Sequence, residues 1–341
     1  MPTIKFIAKK AGVSPTTVTN VLHGNYARVS KATREKVETY LKKYNYAPNM
    51  GAMILAQNDS RIIGVIMFME PRWNETVLED PFSSAILGAM EEEIRAMGYF
   101  FMLHTTTDKE EVVRLAKTWK LAGLILVWVP RNIGPIILDS VESPVVFIDS
   151  HLATKDKTYH SVGLKDEEGG YLISRYLLEM GHRKVIFLAN DTLFSGTDLH
   201  RFRGCQKAFK ERNIDLDLDE KILLSKEKSE RYKTYSKLSS KEMPYTALVF
   251  SSDYYAAEAV SYLQDCGIRV PEDISVTGFD DNIFSRMIHP HLTTIHQNSS
   301  DKGRIAVSML MKLIKKQEIE QPNVQLDVEL VIRDSVKDIN N

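Results

Sequence analysis

Residues 3–24, TIKFIAKKAGVSPTTVTNVLHG, admit few folds, because an apolar helical stripe is cut at one glycine and restarted at once. Ile4, Ile7, Ala8 and Ala11 recur at helical spacing while Lys5, Lys9 and Lys10 stay wet. Gly12 allows the positive φ of a tight helix-to-helix turn, and Val13 follows as an apolar plug. Ser14 then offers a capping oxygen, and Pro15 opens the next helix at a position that needs no amide. The spacing predicts a second helix from Pro15 to about His23 with Val18, Val21 and Leu22 inward. Thr16, Thr17, Thr19 and Asn20 then face outward, with side chains of a size to read base edges. A third helix opens behind Ser30 as N-cap and turns Val37, Leu41 and Tyr44 to a small shared core.

Charge supports a nucleic-acid role for this end alone. Residues 1–58 hold nine Lys and Arg against two Glu, a net of +7, so the rest of the chain carries −8 of the overall −1. A basic head on an acidic body suits phosphate contacts at one end. Pro48 ends the third helix, and Met50 to Gln57 has the length of only two helical turns with Gly51 inside it. Such a segment is marginal in water, so it is expected to fold when something binds it.

Four motifs in order, A-G-V-S-x-x-T-V from Ala11, V-L-x-G from Val21, V-S-x-x-T-R from Val29 and Y-x-P-N from Tyr46, resemble the LacI/GalR family of bacterial transcriptional regulators. The resemblance implies DNA contact by Thr3, Ser14, Pro15, Thr16, Thr17, Thr19, Asn20, His23, Asn25 and Ser30 in a helix-turn-helix head spanning residues 1–48. It also implies a hinge helix over 49–60, with Asn49, Ala52, Leu55 and Ala56 at the DNA and Leu55 wedged into the minor groove. Two departures matter. Phe6 stands where the family usually has an acidic residue, and Thr19-Asn20 replaces the usual Ser-Arg, so the operator sequence is not transferable.

After Arg61 short β-rich runs alternate with helical patterns, which is βαβ repetition and a parallel sheet. Ile62–Met69, Tyr99–His104, Gly123–Val129 and Val145–Asp149 read as strands, with helices over Phe82–Met97 and Lys109–Leu121 between them. A second series follows, with helices over Asp166–Met180, Leu199–Arg212 and Ala256–Cys266 and strands over Lys184–Asn190, Ala247–Ser251 and Ser275–Phe279. Asp301–Lys316 reads as a further helix, Val324–Arg333 as strand-like, and Lys226 to Lys241, with alternating charges, as a solvated face. The resemblance extends into this body through Gly181-His182-Arg183, Gly278-Phe279-Asp280-Asp281 and Pro290-His291-Leu292-Thr293-Thr294. It implies an α/β, periplasmic-binding-protein-like body of two subdomains, residues 61–161 with 292–320 and residues 162–291 with 321–341.

Ligands in open parallel sheets bind outside the carboxyl ends of the strands. Those ends hold Met69, Glu70, Trp128, Asp149, Asn190, Asp191, Ser252, Asp253 and Asp280, a set rich in acceptors for a polyol. The resemblance places the effector-gripping arginine at Arg201, its matching aspartate at Asp280 and an aromatic of the first subdomain at Phe82. The candidate effector site is therefore Glu70, Phe82, Trp128, Asp149, Arg201, Ser252, Asp253 and Asp280. Each has a plainer reading: Asp280 as a helix cap, Arg201 as a surface residue, and Phe82 and Trp128 as core.

No G-x-G-x-x-G follows the first strand, and there is no Walker loop, G-x-S-x-G or H-E-x-x-H, so enzyme chemistry is not expected. The two cysteines, Cys205 and Cys266, have no metal-type spacing and read as buried reduced thiols, and neither a metal nor a cofactor is expected. The longest apolar run, Leu121 to Pro130, is too short to span a bilayer, and a cytoplasmic location is expected. The whole reads as a ligand-responsive repressor, a homodimer on palindromic double-stranded operator DNA, with a sugar or similar small polar effector. A nucleobase or a phosphorylated protein is the alternative signal, ahead of a solute-binding protein or a sugar-processing enzyme.

Overall fold

The computed structural model describes residues 2–22, 24–47, 60–69, 77–154, 158–190, 194, 196–216, 221–240 and 244–340. The chain divides into two compact units, Met1–Ser60 and Arg61–Asn341. His23 and the hinge residues Asn49, Ala52, Leu55 and Ala56 lie outside the described residues, as does Glu70.

In the first unit α1 (Ile4–Ala11), α2 (Pro15–Leu22) and α3 (Lys31–Lys43) enclose Ile7, Ala8, Ala11, Val18, Val21 and Val37. Gly12 closes α1 at φ +63°, the left-handed conformation its position in the sequence calls for. Thr3, Ser14 and Ser30 each cap a helix, accepting from the amides of Phe6, Thr17 and Thr33 at 3.2, 3.1 and 3.3 Å. A single 3₁₀ turn, Tyr26–Arg28, precedes α3, and the Arg34 guanidinium lies 3.8 Å from the centre of the Tyr26 ring.

The second unit is built on two parallel sheets. The first, in the order β11-β5-β4-β3-β1-β2, joins Asn323–Leu326, His160–Leu164, Val145–Ile148, Gly123–Val127, Ile62–Met67 and Phe100–Thr105. The second, β7-β6-β8-β9, joins Lys221–Leu224, Val185–Asn190, Ala247–Phe250 and Ser275–Thr277. β10 (Thr294–His296) and β12 (Glu329–Val331) form an antiparallel pair. The central strands β3, β4, β6 and β8 are buried along their whole length, as strands covered by helices on both faces must be. Strand order reverses beside β1 in the first sheet and beside β6 in the second, and the loops diverge at the carboxyl ends there.

The structure departs from the sequence reading in four places. The run 226–241 holds a helix, Lys228–Leu238, that buries Arg231, Tyr235 and Leu238. Its inward positions keep a helical spacing, but two of the three are polar, and Arg231 is accommodated by a two-pronged bond to Glu258 at 2.7 and 2.8 Å. The stretch 324–333 is two strands in different sheets rather than one. β11 adds to β5 at the edge of the first sheet, so the sheet boundaries fall at 164 and 326, whereas the sequence reading divides the subdomains at 161 and 320. Of the two thiols, Cys205 is buried and pushed up to about 12 by desolvation, but Cys266 is exposed because it ends the Asp253–Asp265 helix on its solvent side.

Candidate functional site

A cleft with about 570 Å³ of non-atom space, open solvent included, lies at the carboxyl ends of both sheets. From the first sheet come Phe82, which opens the Pro81–Ala96 helix, Trp128 just past β3, and Asp149 just past β4. From the second come Asn190 at the end of β6, Ser251 and Ser252 past β8, Asp280 past β9, and Thr197, Asp198 and Arg201 on the first turns of the Thr197–Lys210 helix.

Arg201 is placed by backbone contact between two helices. A Cβ on Gly170 would stand 1.9 Å from the Arg201 carbonyl oxygen, and one on Gly204 would stand 2.0 Å from that of Glu167. Only glycine lets the Asp166–Glu179 and Thr197–Lys210 helices approach this closely. The contact brings Arg201 Nε to Asp166 Oδ1 at 2.9 Å, and Nη1 donates to the Ser251 carbonyl at 2.6 Å. The guanidinium also covers the Phe279 ring at 3.6 Å and stands 4.0 Å from both Asp198 and Asp280. Burial opposes its charge, yet the three carboxylates hold its pKa above the ordinary arginine value.

On the first-sheet side Lys302, fully buried on the Ser299–Ile314 helix, donates to both oxygens of Asp149 at 2.9 and 2.8 Å and to Gln297 Oε1 at 3.0 Å. Gln297 Nε2 donates onward to Asp280 Oδ1. A continuous polar chain therefore runs from Asp149 through Lys302, Gln297 and Asp280 to Arg201 and Asp166, tying the two sheets together beneath the cleft. Burial raises the pKa values of Asp166, Asp198 and Asp280 despite the opposing pull of Arg201, and for Asp280 the neighbouring Asp253 and Asp80 add to the rise. The Phe82 and Trp128 rings stack at 5.7 Å and 24° to form an aromatic wall. Trp128, Asp149 and Asp280 have φ of +59°, +48° and +119°, conformations a side chain adopts only when its surroundings enforce them.

Of the predicted effector residues, Phe82, Trp128, Asp149, Arg201, Ser252 and Asp280 line one cleft. Asp253 does not. It is fully buried, accepting from Thr294 Oγ1 at 2.6 Å and the Asn282 amide at 2.9 Å, and it holds the β9–β10 region in place. It takes this position because a Cβ on Gly278 would meet Asp253 Oδ1 at 2.1 Å, so that glycine leaves the carboxylate room. Sequence reasoning missed Asp80, Thr197, Asp198, Ser251, Tyr254, Tyr255 and Gln297 on the lining. Asp198 stands three residues before Arg201, one helical turn away, and that spacing is the signal that would have found it.

In the head, Thr16 is exposed, and Thr17, Thr19 and Asn20 are half-buried along α2. The Thr17 hydroxyl lies 2.9 Å from that of Ser14, and the Thr19 hydroxyl donates to the Pro15 carbonyl at 3.1 Å, so both keep acceptor capacity outward.

Residues 3–49 match the family described as bacterial regulatory proteins, lacI family, and residues 174–336 match the periplasmic binding protein-like domain. The HTH-type transcriptional repressor PurR of Haemophilus influenzae (strain PittEE) is 35% identical over 352 residues, which cover 99% of this chain and 100% of the relative. The chain belongs to the lacI family of bacterial regulatory proteins. Among the family's similar proteins, PurR of Histophilus somni (strain 129Pt) is 31% identical over 99% of both chains. A solved lac repressor dimer bound to operator and the anti-inducer ONPF superposes with a TM-score of 0.84 at 26% identity, covering 98% of this chain and 99% of that one. The fold is shared as well with the regulator CelR in its cellobiose complex, at a TM-score of 0.72 and 24% identity over 98% of this chain and 100% of that one. This lacI-family chain is a DNA-binding transcriptional regulator and not an enzyme. Among the described residues no helix is long and apolar enough to cross a membrane, and no group of three His, Cys, Asp or Glu is placed to hold a metal ion.

Proposed function

We propose that the chain is an effector-gated repressor that binds a palindromic operator as a homodimer in the cytoplasm. α2 enters the major groove with Thr16, Thr17, Thr19 and Asn20 toward base edges, while Thr3, Ser14, Pro15, Asn25 and Ser30 serve the phosphates at the capped ends of the head helices. His23 and the hinge residues Asn49, Ala52, Leu55 and Ala56 complete that surface in this reading. The effector is a small polar molecule, a sugar in the first reading, held by Arg201, Asp280 and the Phe82–Trp128 wall, with Asp149 and Ser252 beside them; Glu70 belongs to the same proposed site.

The observation that carries this is Arg201, buried and bonded to Asp166 at 2.9 Å, yet lining a cleft at the strand ends where two sheets meet. A bidentate donor backed by carboxylates and facing an aromatic wall is suited to paired hydroxyls over an apolar ring face. The stacked Phe82 and Trp128 favour a second reading, a nucleobase, because a flat heterocycle offers the same area without a ring of hydroxyls. The test is a thermal-shift panel of sugars and nucleobases on the wild type and Arg201→Met, followed by operator binding with every ligand that shifts the wild type. A ligand stabilising both proteins equally refutes the assignment of the cleft.

A further inference from the structure

Among the described residues the charges around the cleft do not balance. Asp80, Asp149, Asp198 and Asp280 line it, and Asp166 stands directly behind Arg201. Against these five carboxylates the described residues supply two cations, each already engaged. Lys302 is committed to Asp149, and Arg201 bonds to Asp166 while standing 4.0 Å from each of Asp198 and Asp280. Asp80, the N-cap of the Pro81–Ala96 helix, uses Oδ2 for the Ser83 amide and hydroxyl at 3.1 and 2.6 Å and pairs with no cation among the described residues. Uncompensated carboxylates away from water are costly, and they relieve the cost by taking up protons or by gaining a positive partner.

The cleft also contains its own example of how an ammonium is held. Lys302 Nζ is bound by the carboxylate of Asp149, the amide oxygen of Gln297 and the face of Phe82, whose centre is 5.1 Å away. Those are the elements of cation recognition, a carboxylate, a neutral acceptor and an aromatic face. Trp128, stacked on Phe82, lines the same cleft as Asp80 and Asp280, which brings an aromatic face and two further carboxylates to one lining.

We propose that the effector carries a protonated nitrogen, an ammonium or amidinium, seated between Asp80 of the first subdomain and Asp280 of the second, with Trp128 against its apolar part. This rests on the reading of the cleft as the effector site and narrows its ligand class. Phosphate-bearing and carboxylate-bearing ligands are disfavoured in this proposal, because they would add negative charge where Arg201, the one arginine on the described lining, is shared three ways. Asp80 is the specificity-determining residue, since it is a first-subdomain carboxylate on the lining that pairs with no cation among the described residues. Burial raises the pKa of Asp280, a cation seated beside it lowers that pKa again, and affinity therefore rises with pH across the interval between the two values until the ligand's own nitrogen loses its charge.

The test uses the full chain and three matched series: D-glucose, D-glucosamine and D-glucose 6-phosphate; the galactose counterparts; and agmatine and spermidine against 1,4-butanediol. Thermal shift ranks the probes, and calorimetry in two buffers of different ionisation enthalpy counts protons. The expected result is stabilisation by an amine-bearing probe over its neutral and phosphorylated partners, with proton release on binding. Asp80→Asn keeps an N-cap of equal quality, so folding stability is unchanged while amine affinity falls by about tenfold or more. Tighter binding of a neutral or phosphorylated probe than of its amine counterpart overturns the proposal and leaves the cleft as the effector site. Unchanged amine affinity in Asp80→Asn likewise overturns it. Silence of every probe in the wild type overturns the ammonium assignment, and the cleft's role as effector site is then judged separately by the broader sugar and nucleobase panel.

Discussion

Replacing Arg201 by Met keeps the apolar stem that covers Phe279 and removes the charge that three carboxylates share. Asp166 has 2% of its side chain exposed and would lose the guanidinium bonded to it, while the close helix approach at Gly170 and Gly204 keeps the helices from moving to admit water. Breaking a buried pair in this way costs about 3–5 kcal/mol. All three tryptophans, Trp73, Trp119 and Trp128, follow Arg61, so urea denaturation read by tryptophan fluorescence reports the body alone. The loss depends on pH with a definite sign. Asp166, Asp198 and Asp280 have folded-state pKa values raised above the ordinary carboxylate value, so the stability they contribute is present at low pH and is lost as pH rises through those raised values. Removing Arg201 raises them further. The deficit of Arg201→Met is therefore expected to be largest at pH 8 and to shrink toward pH 5, where protons replace the missing cation. A deficit below about 1 kcal/mol, the size of a solvent-exposed pair, or one equal at both pH values, refutes the account of a shared buried cation.

Gly204→Ala drives a methyl into the Glu167 carbonyl, and a loss of about 1–3 kcal/mol or more with weakened effector binding is expected; full stability and affinity in chemical denaturation and calorimetry would show that the helices slide freely. Asp253, buried and raised to about 7, contributes stability that is complete near pH 4 and lost as pH rises through 7, so Asp253→Asn should flatten the wild-type stability profile between those values; an unchanged profile rejects this. At the head, Asn20→Arg should change the base selected from a random DNA pool at one position from adenine to guanine, with discrimination of about 1–3 kcal/mol, and a guanine preference in both proteins refutes readout by Asn20. Sedimentation should find a dimer at micromolar concentration, and a monomer with and without DNA contradicts the palindromic operator.

The elements with regular apolar periodicity were legible in the sequence. α1, α2 and the central strands β1, β3, β4, β6 and β8 fall within a few residues of where their patterns put them, because burial on fixed faces is what the patterns encode. β5 and β7 were not: both are only partly covered, so neither has the continuous apolar run of a central strand. Strand ends and the family resemblance located Arg201, Asp280, Trp128 and Asp149, but Asp80 and Gln297 come from a helix cap and a crossover, which strand-end reasoning does not reach. Asp253 misled it because adjacent residues past β8 part company there: Ser252 faces the cleft and Asp253 turns behind it.

Occupancy of this cleft is expected to set operator affinity. The direct measurement is fluorescence anisotropy of a selected operator duplex, titrated with protein in the presence and absence of a ligand that the wild type binds and Arg201→Met does not. A change in operator affinity of about 5–150-fold is expected on saturation, the range of an ordinary coupling energy, and no change in Arg201→Met. A ligand that saturates the cleft and leaves operator affinity where it was, or a shift of equal size in Arg201→Met, contradicts it.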